Sequence, residues 1–451
     1  MPVTPSKEAP IMNFAVEITP GKVIYRPPLD TAPDRVNSPG HDILERRIQR
    51  DMPKQLRVGI IGCGGVGQSI AQKLAVSPLV SDLVLADVNP RGAEFVKRRT
   101  KSDKISTKMV DASDVEQVSE IAKKVDVVVN GAVPALNLKI MEGCLKGGAS
   151  YLDMSNGDKE YGHPMFEDQL AYDRNFEDSG SVALCCMGID PGASNIFVKR
   201  AADRMDSVEY VKVRDADTGR LEGYDFATYF SPESMLEEVI KDPLYWEDGK
   251  WGRSPSLEVT EVYDFPEPIG KMKIYRTDHE ESELVPKFMG KPVKNVDFMI
   301  SLDETFVGYV KALKKLGLTS FKPLDIRGSK VIPFEVVIAA MPRPDDLAGK
   351  IKGNAMVLTE VGGSMKGKDV AIRTWTWISH ERAHEICGIH ATAYQTAMPV
   401  VVVVEMMARG EIKAKGVKSP ECVDPVKFCN YLPEKDTPVF EEIVPLSSRK
   451  K

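Results

Sequence analysis

The run LRVGIIGCGGVGQSIAQKLA, residues 56–75, constrains the fold more than any other stretch of this chain. A short apolar segment, LRVGII, runs directly into G-x-G-x-x-G, and an amphipathic helix follows. In this context each glycine has a physical task. Gly62 permits the tight turn, Gly64 lets the backbone approach a pyrophosphate, and Gly67 allows close packing of helix on strand. Gly65 and Val66 complete the turn, and the helix behind them offers free N–H groups and its positive dipole end to an anion. A strand–turn–helix of this kind predicts a dinucleotide-binding α/β domain. The alternative is a glycine turn in a domain that has lost its nucleotide.

The next apolar segment, DLVLAD, ends in Asp87, twenty residues past Gly67. A carboxylate there accepts hydrogen bonds from the adenosine ribose hydroxyls and repels a 2′-phosphate, so NAD is expected, with NADP possible because Arg91 is close by. The alternation continues. A helix over 90–101 precedes STKMVD, one over 113–123 precedes VDVVVN, and helices over 135–147 and 166–179 flank ASYLD and precede SVALCC. This rhythm predicts a parallel sheet covered on both faces. The carboxyl ends of such strands line the cofactor crevice, which makes Asp111 and Ala112, then Asn130, Gly131 and Ala132, then Asp153 and Ser155 candidates for contact. Each of these could equally serve as a loop-starting cap.

After GIDPG (188–192) the rhythm breaks. Segments 208–213, 223–230, 259–264, 272–277, 333–341, 354–361 and 369–378 read as strands, with helices only over 232–241 and 303–315, so a mixed α+β domain is expected. The chain therefore divides into an N-terminal extension (1–54, helical only over 41–52), a Rossmann domain (55–190), an inserted α+β substrate and dimerisation domain (191–390), and a segment returning to the Rossmann domain (391–451) with a long helix over 391–409. The fold class is α/β.

Bulk properties narrow the partners. A net charge of −6 over 451 residues lacks the clustered Lys and Arg of a nucleic-acid surface, so small molecules are expected and nucleic acid is not. Seven cysteines without a C-x-x-C pair suggest a reducing compartment. MPVTPSKEAP lacks the order of a secretion signal, and the most apolar run, 397–408, is broken by Pro399 and Glu405 and reads as a buried helix. A cytoplasmic protein without a membrane span is expected.

Beyond the glycine turn the sequence resembles the saccharopine dehydrogenase-like oxidoreductases, which include saccharopine reductases, carboxynorspermidine dehydrogenases and L-lysine 6-dehydrogenases. The resemblance rests on GCGGVG with Asp87, on MGIDPGASN (187–195), FSPESMLEEVIKDPLYWEDGKW (230–251) and PSLEVTEVYDFPEPIGKMKIYRTDHEES (255–282), and on ARGEIKAKGVKSPECVDPVKF (408–428). It covers roughly 56–430. It implies a Rossmann domain, an α+β domain that binds substrate and dimerises, a nicotinamide cofactor, and reversible oxidation of a C–N bond in a basic amino acid or polyamine derivative. The proline-serine-leucine run ahead of a Y-x-T turn is most similar to the lysine 6-dehydrogenase branch. Asp278, His279, Glu280 and Glu281 after that turn are closer to the carboxynorspermidine type. Both substrates stay open.

Oxidising a carbon that bears an amine requires a base for the amine's proton. His279 is one of six histidines and has a near-neutral intrinsic pKa. With Glu281 and Asp153 it forms the expected catalytic set, and TDHEESE (277–283) offers carboxylates to a cationic substrate. That stretch could instead be a solvated hairpin end, and Asp190 could be the N-cap of the helix behind Pro191 rather than a substrate contact.

Two other classes compete. HERAHEICGIH (380–390) spells H-E-x-x-H through His380, Glu381 and His384, with His390 further on, which is the pattern of a zinc hydrolase. The pattern requires a helix, whereas 369–378 reads as a strand and SHER as a turn, so the two histidines are not expected to share a face and no metal is expected. The third class is a non-catalytic NAD-binding protein.

Overall fold

The computed structural model describes residues 16–19, 22–25 and 54–446, except 158–164, 222, 225, 227, 229–230, 343–346 and 348. The helix expected over 41–52 lies outside the described residues.

Seven parallel strands build the first sheet, in the order Gly416–Lys418, Val182–Leu184, Ser150–Leu152, Val127–Asn130, Leu56–Ile61, Val80–Asp87 and Ile105–Met109. Both faces are covered, so the central strands are apolar on both sides: Val58, Ile60, Ile61, Val127, Val128 and Val129 are all buried. The chain moves outward from Leu56–Ile61 to one edge and then returns to pair Val127–Asn130 on its other side. This reversal opens a crevice beyond the carboxyl ends of those two strands. The helix Gly65–Val76 packs on one face with the buried helix Ala391–Ala408 beside it. The latter is long and apolar enough to cross a membrane by composition, but the fold encloses it.

The second sheet has eleven strands. Its centre is antiparallel, with Asn354–Met365 between Ser207–Asp217 and Lys368–Ser379. Asn295–Ser301 pairs parallel to Ser207–Asp217 and carries the hairpins Leu244–Glu247/Lys250–Arg253 and Thr260–Asp264/Lys271–Arg276.

Several expectations need correction. The N-terminal extension, expected to be helical only over 41–52, contributes strands Val16–Thr19 and Lys22–Tyr25, which extend the second sheet through Phe440–Pro445. That last strand belongs to the second sheet, although Gly416–Lys418 and the long helix join the first. None of the described residues within 223–230 is in a strand. Residues 333–341 form a helix, Pro333–Ala340, because Pro333 presets the first helical φ and Phe334 anchors the turn by stacking on Phe321 at 4.2 Å. The β-branched run VVI imitated a strand. The helix expected over 166–179 is broken into Phe166–Leu170 and Asp173–Asp178.

Candidate active site

The glycine turn performs its three tasks with measurable geometry. Gly62 has φ +95°, and a Cβ there would meet the Gly131 carbonyl carbon at 2.4 Å. A Cβ on Gly67 would sit 2.0 Å from the Gly62 carbonyl oxygen, whereas one on Gly64 would meet nothing within 4 Å. The backbone is thus closed on the protein side and open on the cleft side, as a pyrophosphate requires. Asp87 ends the neighbouring strand, where Oδ2 accepts the Cys63 N–H at 2.6 Å and Oδ1 the Asn89 N–H at 2.7 Å. Its carboxylate is therefore held at the mouth of the turn.

A cavity of about 650 Å³ extends from this turn to the second domain. Gly62, Gly64, Val66, Asp87, Asp111, Ala112, Gly131, Ala132 and Ser155 all line it. Gly65 begins the adjoining helix. Asn130 stands behind the wall as a buried brace, donating to Asn137 Oδ1 and Tyr151 Oη and accepting the Ala132 N–H. Asp111 is exposed and ties its own loop through Ser113. These residues fit an extended dinucleotide, with open backbone at the turn and a carboxylate one strand away.

The far wall is acidic. Asp190, Asp215, Glu237, Glu238, Asp278, Glu280 and Glu283 line the same cavity around His279, with Lys241 and Arg253 at one side. Burial raises Asp215 to about 8 and Glu238 to about 7, and lifts Asp190 well above the carboxylate range, each helped by its acidic neighbours. Burial thus favours the protonated form of these carboxyls while the cleft is empty of cations. His279 moves the other way. Burial lowers its pKa, but the charge and hydrogen bond of Glu281, with Glu280 and Glu238 behind, raise it well above the ordinary histidine value. Its Nδ1 lies 2.5 Å from Glu281 Oε2, and its ring stacks on Phe298 with centroids 3.8 Å apart. That leaves Nε2 for a substrate.

TDHEES is therefore not a solvated hairpin end. The strand Lys271–Arg276 leads through it into the helix Glu281–Phe288, and Glu281 is fully buried. Among the described residues, only His279, Glu280 and Glu281 offer His, Cys, Asp or Glu ligand atoms grouped within 4.8 Å of one another. Glu280 Oε1 already accepts the Asn156 N–H, and Glu281 is bonded on both oxygens, which makes this a hydrogen-bonded network rather than a vacant ligand set.

Asp153 does not meet His279. It is buried behind the cavity wall, accepting from the Cys186 N–H, Tyr151 Oη and Gln169 Nε2, and burial raises it to about 6. Asp190 does not cap the following helix, whose N-cap is Gly192 with its N–H bonded to Asn195; it faces the cavity. Sequence reasoning missed Asp215 and Glu238, which the second sheet and the helix Pro232–Ile240 carry to the cleft. No local signal marks either, since their role depends on how the second domain meets the first.

The H-E-x-x-H stretch is helical, contrary to expectation. His380–Cys387 is capped by Ser379, which accepts the Arg382 N–H, and closed by Gly388 at φ +74°. Ser379 and Gly388 were the missed start and stop signals. His380 is nonetheless committed, with Nδ1 accepting the Ala391 N–H at 3.2 Å and Nε2 at 3.0 Å from Asp217. It ties a loop to the core.

Comparison with known proteins bears on the family and the fold. Residues 58–184 match the model of the saccharopine dehydrogenase NADP binding domain, and 188–435 that of the saccharopine dehydrogenase C-terminal domain. The chain is 31% identical over 394 residues to a carboxynorspermidine synthase of Vibrio cholerae, covering 83% of this chain and 94% of the relative. It is 30% identical over 396 residues to a carboxyaminopropylagmatine dehydrogenase of Synechocystis, covering 86% and 98%. In fold it is similar to apo saccharopine dehydrogenase (L-Glu forming) from Saccharomyces cerevisiae (TM-score 0.66, 14% identity, 86% of this chain and 100% of that one). It is also similar to a homospermidine synthase from Legionella pneumophila solved with NAD (TM-score 0.63, 14% identity, 89% and 95%).

Proposed function

The chain belongs to the saccharopine dehydrogenase family and is an NAD(P)-dependent oxidoreductase of amine-bearing substrates; from that premise we propose that its substrate is a carboxylated polyamine, oxidised or formed reversibly at a secondary C–N bond. The acidic far wall carries this reading. Carboxyls at Asp190, Asp215 and Glu238 suit a substrate with more than one cationic group, while Lys241 and Arg253 at the side suit its single carboxylate. Of the branches the sequence leaves open, the carboxynorspermidine type fits this charge distribution better than lysine or saccharopine, and the names of both relatives denote compounds of that kind.

An NAD(P)⁺ held by the glycine turn and Asp87 would supply the hydride acceptor. The protein's part is proton handling. The substrate nitrogen must lose a proton before hydride departs from the adjacent carbon, and Nε2 of the neutral His279 ring takes it, a form that the raised pKa places on the alkaline side of the profile. Glu281 holds Nδ1–H and stabilises the imidazolium. In the reductive direction the imidazolium gives a proton to the oxygen that leaves as water when amine and carbonyl condense. We further propose that Asp87 favours NAD, because its carboxylate accepts from ribose hydroxyls and repels a 2′-phosphate.

The test is cofactor reduction with carboxynorspermidine, carboxyaminopropylagmatine, saccharopine and lysine, each with NAD⁺ and NADP⁺. Turnover of a carboxylated polyamine is expected. Turnover of lysine or saccharopine alone would overturn the substrate assignment.

A further inference from the structure

Glu281 is held from behind. Its Oε1 accepts the Ser194 hydroxyl at 2.6 Å, and both groups are buried. Ser194 sits in the first turn of the helix Ala193–Arg204. The hydroxyl has one proton, and the 2.6 Å contact with Glu281 takes it in preference to the 3.3 Å contact with Asn195 Oδ1. Asn195 is fixed in turn: Oδ1 accepts the Gly192 N–H at 3.0 Å and Nδ2 donates to Glu421 Oε1 at 2.8 Å. Glu421 is buried, and its other oxygen has no partner. A hydrogen-bonded chain thus runs inward from the cleft through His279 and Glu281 to Ser194, while the neighbouring Asn195 is tied separately to Gly192 and Glu421. Proton transfer itself involves only His279 and Glu281.

We propose that Ser194 is a positioning residue that fixes Glu281 and sets the basicity of His279. This rests on the reading of His279 as the proton-transfer group. The serine draws part of the carboxylate's charge towards Oε1. Without it, the charge concentrates on Oε2, the atom facing Nδ1, and the imidazolium is held more tightly. The other charged groups around the pair stay in place: Glu280 on the same turn, Glu238 on its helix, Asp190 and Asp215 from the first and second domains, and Glu421 behind.

The experiment is an NMR titration of the His279 ring in the full-length protein, assigned by its loss in His279→Asn, alongside the pH profile of kcat for amine oxidation. In Ser194→Ala the ring is expected to titrate about one unit higher, a tenfold change in its protonation constant, and the rising limb of kcat should move with it. Ser194→Cys keeps the volume but donates weakly, so it should fall between the two. Glu421→Gln retains an oxygen for Asn195 and should leave the titration at its wild-type position. An unmoved His279 in both Ser194 variants would overturn the proposal. A ring that shifts while the kcat limb does not would instead overturn the assignment of His279 as the proton-transfer group.

Discussion

His279 Nδ1 and Glu281 Oε2 meet at 2.5 Å although only one residue separates them in sequence. A strand carrying both would point them to the same face, too far apart for that contact. They meet because the chain turns between them, from the strand Lys271–Arg276 into the helix Glu281–Phe288. Phe298 lies flat beneath the imidazole and fixes its plane. The pair is thus a product of one strand-to-helix junction, placed at the cleft by the second sheet.

The glycine turn separates folding from binding. Gly67→Ala puts a methyl 2.0 Å from a backbone oxygen, and a loss of about 1–3 kcal/mol or more in stability is expected by denaturant titration. Gly64→Ala meets no protein atom within 4 Å, so its unfolding midpoint should be unchanged while dinucleotide affinity falls by about tenfold or more. Equal effects of the two changes on stability would count against the assigned roles.

Asp87→Ala should weaken NAD more than NADP, shifting the ratio of their dissociation constants by about tenfold, the scale of one charge-assisted hydrogen bond. Some affinity for both should also be lost, since the carboxylate accepts the Cys63 N–H of the turn. An unchanged ratio measured by fluorescence titration would remove the basis for the NAD preference.

Cation binding in the cleft should release protons. With Asp215 raised to about 8 and Glu238 to about 7, a polyamine favours their ionised forms, so its apparent affinity rises as pH climbs through 7–8. Glu238→Gln should raise KM for the polyamine by about 10- to 100-fold, the worth of a hydrogen bond to a charged group, and flatten the lower part of that rise. Calorimetry in buffers of different ionisation enthalpy counts the protons. A pH-independent KM would show that these carboxyls do not meet the substrate.

His390 gives a separate dependence on pH, this time of stability. Burial, with the neighbouring His380, lowers its pKa to about 4. The unfolded chain takes up the proton near pH 6.5 and the folded one only near 4, so stability falls as pH drops through that window, by about 3 kcal/mol in all. His390→Asn keeps an N-cap acceptor for the Ala393 N–H and should remove that part of the slope of urea midpoints against pH. An unchanged slope would place the acid sensitivity elsewhere.

The first domain was legible because its signals are local. Gly62, Gly64, Gly67 and Asp87 each act through the backbone within one strand–turn–helix unit, and the both-sides-buried strands read as continuous apolar runs. The second domain was legible only in part. VVI in the helix Pro333–Ala340 has strand-like residues, and the proline ahead of it was the better guide. Asp215, Glu238 and Ser194 acquire their roles from contacts distant in sequence, 87 positions apart for Ser194 and Glu281, and no spacing rule foresees those. Asp153 shows the converse error. Its place at a strand's carboxyl end was read from the pattern, but its three hydrogen bonds turn it inward.

Removing the imidazole tests the assignment of proton transfer most directly. In His279→Ala, and in Glu281→Gln, kcat for oxidation of a carboxylated polyamine is expected to fall by about 10² to 10⁴, while the dissociation constant of the dinucleotide, measured in parallel, stays at the wild-type value because neither residue touches the glycine turn. Wild-type turnover in both variants would contradict the assignment and move the proton acceptor to another carboxyl of the cleft wall.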